Sequence, residues 1–159
     1  MFLFSIIICL LQLSSDRVSQ LPDQFKKMIL DVYPKSEIVV CTYDIPRQKK
    51  PASFIQGDFN GDSKPDFAVI AKINAPAPNC YCIVFLSSET KYSMKVLKEP
   101  YMYCSPHKTL RLNKKGSEIF SLGEESGIIL ANDAFTIYTE ICFTFIYEKN
   151  DFTVVGTCD

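Results

Sequence analysis

The chain has 159 residues, 47% of them hydrophobic and 22% charged, and its 17 basic and 18 acidic side chains give a formal net charge of −1. This profile is that of one ordinary globular domain and excludes the collagen-like and disordered classes. The basic clusters Arg47-Gln48-Lys49-Lys50 and Lys114-Lys115 are short and flanked by turn residues; they read as solvated loops, which argues against a nucleic-acid partner.

Phe2 to Leu13 is an uncharged, apolar run, too short for a bilayer span of about 20 apolar residues. With Ser14-Ser15 at its exit, it predicts a signal peptide over residues 1–15. Cleavage there leaves a single domain over 16–159, extracytoplasmic (secreted or periplasmic) and without a transmembrane span. No Lys or Arg precedes the run. A lipid anchor through Cys9 is the alternative, although Ile8 stands where lipid attachment normally wants a small residue.

Leu21 to Leu30 predicts a short amphipathic helix: Pro22 and Asp23 lie in its first turn, Phe25, Met28 and Ile29 share a face, and Pro34 lies beyond its end. The remainder reads as strands. "EIVVCTY" comes first, followed by a loop holding Pro46 and Pro51. Phe67 to Ile73 and Tyr81 to Ser87 flank "NAPAPN", whose prolines exclude regular pairing. Ser88-Glu89-Thr90 turns the chain into Lys91 to Leu97. Turns follow at Asn113-Lys114-Lys115-Gly116 and Glu148-Lys149-Asn150-Asp151. Between them, "AFTIYTEICFTFIYEK" places Phe135, Ile137, Ile141, Phe143 and Phe145 at alternate positions, which predicts one long strand or two nearly continuous ones. "FTVVG" then pairs back as the last strand. The expected fold is mainly β (α+β), an antiparallel β-meander with one short N-terminal helix, propeller-blade-like rather than a closed propeller.

"GDFNGDSKPDF" carries the strongest chemical signal. Asp58, Asn60, Asp62 and Asp66 occupy positions 1, 3, 5 and 9 of a nine-residue loop. Alternate side chains in a tightly curled turn converge, and calcium takes about six to eight oxygen ligands at roughly 2.3–2.6 Å. The carbonyl of Lys64, at the seventh position, supplies a further oxygen. Three carboxylates this close repel one another by about 1 kcal/mol per pair at 4 Å in water, and Lys64 offsets only part of that. Oxygen-only ligands disfavour zinc and copper, and magnesium resists dehydration, so the cation expected is one Ca2+, mainly structural. The competing reading is a plain turn, because Asn60-Gly61 is a hairpin signal by itself.

Gly57-Asp58-Phe59-Asn60-Gly61-Asp62, followed by Lys64-Pro65-Asp66-Phe67-Ala68-Val69, resembles the calcium-binding hairpin of the FG-GAP repeats in integrin α-type propellers. The resemblance implies Asp58, Asn60, Asp62 and Asp66 as side-chain ligands and Lys64 as a backbone ligand. It departs from the pattern at Ser63, where Gly is usual; a non-Gly residue forced to positive φ costs about 1–2 kcal/mol. Only one copy is present, too little chain for a closed propeller. The helix, the single hairpin, the meander and the closing "FTFIYEKNDFTVVG" also resemble small exported bacterial proteins carrying one such hairpin, which implies a fold and a location rather than an activity.

With Cys9 removed, Cys41, Cys80, Cys82, Cys104, Cys142 and Cys158 remain, an even set that predicts up to three disulfides of unspecified pairing. Cys80 and Cys82 point to the same face of a strand and would bond different partners; buried free thiols are the alternative. A Cys3His zinc site from Cys80, Cys82, Cys104 and His107 competes poorly with disulfides in an exported chain, and a Cys104–His107 nucleophilic pair needs an activated thiol. Glu124-Glu125 reads as a surface turn. Tyr81, Tyr92, Tyr101 and Tyr103 read equally as an exposed binding patch or as half-buried sheet aromatics. No hydrolase or phosphate-loop motif occurs. The expected function is therefore a non-enzymatic binding or interaction module with a protein partner. An extracytoplasmic enzyme inhibitor or immunity-type protein is the alternative, and a hydrolase with an unrecognised site stands behind both.

Overall fold

The computed structural model describes residues 21–38, 54–73, 80–97, 109–123, 126–138 and 142–157. The leader, the Arg47–Lys50 loop, "NAPAPN", Tyr101, Tyr103, Cys104, His107 and Glu124-Glu125 lie outside the described residues, as does most of "EIVVCTY". Among the described residues the protein is mainly β and antiparallel, with one short helix. Among the described residues no helix is long and apolar enough to cross a membrane.

The helix α1 (Asp23–Val32) starts after Pro22, whose fixed φ and missing N–H suit a helix entry. Five strands form the first sheet: β1 (Glu37–Ile38), β2 (Phe54–Gly57), β3 (Asp66–Lys72), β4 (Cys80–Ser87) and β5 (Tyr92–Leu97). β3, β4 and β5 lie side by side, while β1 and β2 follow one another along the remaining edge of β3. The second sheet takes β6 (Thr109–Asn113), β9 (Ala134–Tyr138), β10 (Cys142–Glu148) and β11 (Asp151–Thr157), in the order β11-β10-β9-β6. A small flap, β7 (Glu118–Ile119) and β8 (Ile128–Ile129), forms a separate ribbon.

Burial explains the layering. Ile55, Ala68, Ile70, Val84 and Leu86 of the first sheet share one core with Leu110, Phe135, Ile137 and Phe145 of the second. On its other face, the first sheet presents Phe67, Val69, Ala71, Ile83 and Phe85 to Leu21, Phe25 and Ile29 at the helix. Covered on both faces, β3 and β4 are apolar almost without alternation, whereas a strand with one wet face alternates. The third apolar cluster joins Ile119 and Ile128 of the flap to Leu130, Ala134, Ile146 and Val155, on the outer face of the second sheet.

One expectation is corrected. "AFTIYTEICFTFIYEK", expected as one long strand or two nearly continuous ones, holds two strands that fold back on each other: β9 and β10 pair antiparallel with Phe143 opposite Ile137 and Phe145 opposite Phe135. The alternation keeps its phase through the reversal, so the pattern alone does not reveal it. The last turn is a two-residue connection with both Lys149 (φ 51°) and Asn150 (φ 68°) left-handed, which matches the twist of a tight hairpin.

The cysteines are also only partly as expected. Cys80 and Cys82 do share the inner face of β4, and Cys80 is disulfide-bonded. Cys82, however, is a fully buried thiol, so complete pairing of the six does not hold at this position. Burial in apolar surroundings pushes its pKa up, which leaves it a small inert hydrophobe. The disulfide takes the Cys80 sulfur out of any zinc site, and the other two members of that set, Cys104 and His107, lie outside the described residues. Tyr81 and Tyr92 pack, half-buried, on the helix side of the first sheet.

Phe25 anchors the helix, with its ring 4.7 Å from Phe67, 4.5 Å from Phe85 and edge-on at 4.8 Å to Tyr92. Phe25→Ala is expected to lower the unfolding free energy by about 3–5 kcal/mol in urea melts. A loss below about 1 kcal/mol would show that the helix is not part of the cooperative core.

Candidate metal centre

The acidic loop joins β2 to β3 and is folded by its own side chains. The Asp58 carboxylate accepts the Gly61 N–H through Oδ1 (2.8 Å) and the Ser63 N–H through Oδ2 (3.0 Å). Asn60 Oδ1 accepts the Asp62 N–H (3.0 Å), and Asp62 Oδ1 accepts the Lys64 N–H (2.9 Å). Each of these short oxygen-bearing side chains thus bonds the backbone a few residues on, which curls the chain tightly. Gly61 (φ +79°) and Ser63 (φ 64°) both take left-handed conformations, so the strain expected at Ser63 is present.

Depth divides the four residues. Asp62 is exposed, Asp58 and Asn60 are half-buried, and Asp66 is fully buried. Asp66 Oδ2 accepts the N–H groups of Phe59 (2.7 Å) and Asn60 (3.1 Å), and its Oδ1 accepts both the N–H and the hydroxyl of Ser87 at 2.7 Å. A carboxylate has about four acceptor positions; on Asp66 three take N–H donors and the fourth faces the Ser87 hydroxyl. Phe59 enters the shared core beside Phe135, at 5.2 Å between ring centroids.

Ser87 is where the negative charge converges. Its Oγ lies 2.9 and 3.0 Å from the two Asp62 oxygens and 2.7 Å from Asp66 Oδ1. Two carboxylates therefore share a hydroxyl that has one proton to give. Burial raises the Asp66 pKa, outweighing the hydrogen bonds from Ser87, Asn60 and Phe59. For Asp62 burial also pulls upward, but the Lys64 N–H, the Ser87 hydroxyl, Asn60 and the Lys64 charge together bring it below the ordinary value. The field reaches Tyr92, whose phenol is raised by burial and then by the charges of Asp66 and Asp62.

A second loop, which the sequence did not single out, clasps the first from the other side. The Asp58 N–H donates to Asp133 Oδ2, and the Asp133 N–H donates back to the Asp58 carbonyl, both at 3.1 Å. Asp133 also accepts the Lys115 N–H (2.9 Å) and the Lys114 ammonium (3.0 Å). Burial works against its charge, but these donors with the Asp58 N–H hold its pKa below the ordinary value. Asn132 covers Gly61 so closely that a Cβ there would lie 2.6 Å from Asn132 Oδ1. The sequence hint was "NDAF": like "PDFA" it puts an aspartate at the entry of a strand.

Among the described residues, no three His, Cys, Asp or Glu side chains form a group that holds a metal ion. The donors nonetheless suit a hard cation. Asp58 and Asn60 keep acceptor capacity beyond the bonds they make, Asp62 faces solvent, and every side-chain donor is oxygen. Asp66 differs in being committed to the fold. No family model, curated protein or solved structure matches the chain, so the functional reading rests on this geometry.

Ser63→Gly relieves the left-handed strain and is expected to stabilise the protein by about 0.5–1 kcal/mol in urea melts; no gain would mean that the conformation costs nothing here. In carboxyl 13C titrations without divalent ions, Asp66 should titrate above about 3.9 and Asp62 and Asp133 below it. The linkage signs are opposite. Stability from Asp66 is present at low pH and lost as pH rises through its raised folded pKa, whereas that from Asp62 and Asp133 is lost as pH falls through their lowered ones. An inverted order of the three would overturn this account of the loop.

Proposed function

We propose that the Asp58–Asp66 loop holds one divalent cation, calcium, and that the protein is an exported, non-enzymatic binding module whose loop the ion stiffens. Asp58, Asn60, Asp62 and the Lys64 carbonyl would hold the ion. Asp66 joins them only at the expense of its bond from the Ser87 hydroxyl. The observation that carries this reading is the meeting of the Asp62 and Asp66 carboxylates at one hydroxyl, a concentration of charge that a bare turn does not require. The spacing shared with FG-GAP hairpins supports the same choice of ion.

Stiffening has a local consequence. Lys64 and Pro65 form one wall of an open cleft of about 500 Å³, with Gln24 and Met28 of the helix and the turn from Ser88 to Tyr92. Two bonds already tie that wall down: the Lys64 ammonium donates to the Ser88 carbonyl (3.2 Å), and the Tyr92 hydroxyl donates to the Pro65 carbonyl (3.1 Å). A cation in the loop fixes the wall further, and this cleft is the surface offered to a protein partner.

A ligand that binds only the folded state stabilises it by about 2.7 kcal/mol at 100 times its dissociation constant. Calcium is therefore expected to raise the melting temperature of the purified protein at neutral pH, chelator to reverse the gain, and Asp62→Ala to abolish it. Protons compete for the same carboxylates, so the gain should shrink toward pH 4. Melting that ignores calcium over the whole range, in the wild type and in Asp62→Ala alike, sinks the proposal.

A further inference from the structure

The outer face of the second sheet meets the flap across a cleft of about 310 Å³, away from the acidic loop's own ligands. Its floor is a row of buried hydroxyls that satisfy one another. Asn113 Nδ2 donates to Thr136 Oγ1 (2.8 Å), the Thr136 and Thr144 hydroxyls meet at 2.7 Å, and those of Thr144 and Thr157 meet at 2.9 Å. The floor is thereby fixed, and recognition falls to the rim.

Two acceptors at the rim are unspent. Asn113 uses its amide N–H on Thr136, and among the described residues nothing donates to its carbonyl oxygen. The Glu118 carboxylate, at the start of β7, makes no hydrogen bond or ion pair among the described residues. Its place is nevertheless defined. A Cβ on Gly127, across the flap, would fall inside the Glu118 side chain, so the carboxylate lies where only a glycine leaves room for it. Ser117, next to it on the rim, adds a hydroxyl that can donate or accept.

Three properties of the cleft narrow its ligand. A carboxylate and an amide carbonyl only accept, so the ligand must bring donors. The charges around the cleft, Arg111 and Lys114 against Glu118 and Asp133, sum to zero, and Lys114 is already paired with Asp133 at 3.0 Å. A ligand with net charge would lose hydration there with no opposite charge to offset the loss. Phe120, on the wall, is 53% exposed, the only phenylalanine so exposed among the described residues, and offers its ring to an apolar C–H surface. The volume sits near the lower end of ligand pockets, about 300–1,000 Å³, which suits one ring rather than a chain of them. A neutral molecule with several hydroxyls and a C–H face meets all of these conditions. Adjacent hydroxyls also suit a carboxylate, because two parallel donors reach its two oxygens and bonds to a charged acceptor are the stronger kind.

We propose that the cleft between the outer face of the second sheet and the β7–β8 flap binds a neutral monosaccharide. Glu118 and Asn113 accept from its hydroxyls, and Phe120 packs against its C–H face. This site does not depend on the cation reading and is tested in chelator-treated protein.

The experiment is a 15N and aromatic NMR titration of the protein with glucose, galactose and mannose, alongside acetate and methylammonium as charged probes of either sign. The expected result is saturable shifts from at least one of the sugars, centred on Asn113, Glu118 and Phe120, with no such response to the charged probes. Glu118→Gln keeps the shape and removes the charge, and is expected to weaken sugar binding about tenfold. Phe120→Ala is expected to weaken it about threefold or more. Both residues are exposed, so both variants keep the fold. No saturable shift with any of the three sugars overturns the proposal, as does sugar binding that either variant leaves unchanged. Acetate or methylammonium binding here in place of the sugars overturns the ligand class.

Discussion

A buried carboxylate must be given hydrogen bonds or neutralised, and at Asp66 this constraint organises the molecule's most distinctive region. The residue opens β3 at the point where the sheet is covered on both faces, so water does not serve it. Its acceptors are filled by N–H groups of Phe59 and Asn60 from its own loop and by Ser87 from the end of β4. Satisfying the carboxylate therefore fixes the path of the loop and its attachment to the neighbouring strand together. With Asp66 committed inward, Phe59 is carried into the core while Asp62 is left facing solvent. Replacing any one of these donors leaves a buried charge short of a partner, which costs more than the bond itself contributes to a fully satisfied site.

The same double coverage explains the place of α1. The first sheet has an apolar residue at nearly every position of β3 and β4, and the second sheet can cover only one face. α1 supplies the other cover with a narrow stripe, Phe25 and Ile29, extended by Leu21 just before it. The second sheet solves its own outer face differently. The flap covers only the part around Ala134, Ile146 and Val155 with apolar contacts, and the rest of that face is lined with hydroxyls instead. Thr136, Thr144 and Thr157 are buried there all the same, and their hydroxyls meet one another across the strands.

How much of this could be read from residues alone depended on whether the signal was local. The helix was visible from Pro22 and the spacing of Phe25 and Ile29, and the closing hairpin from Lys149-Asn150 between apolar runs. Both are determined within a few residues. The reversal between β9 and β10 was not visible, since alternation continues in phase through it. Nor did continuous apolar strands say which layers would cover them. In the acidic loop, the turn chemistry of Asp58, Asn60 and Asp62 was legible because each bonds within a few residues. Asp66 looked equivalent by spacing but is distinguished by Ser87, 21 residues away, and Asp58 is held by Asp133, 75 residues away. Partners at such separations are selected by the packing of the sheets, which no local pattern encodes.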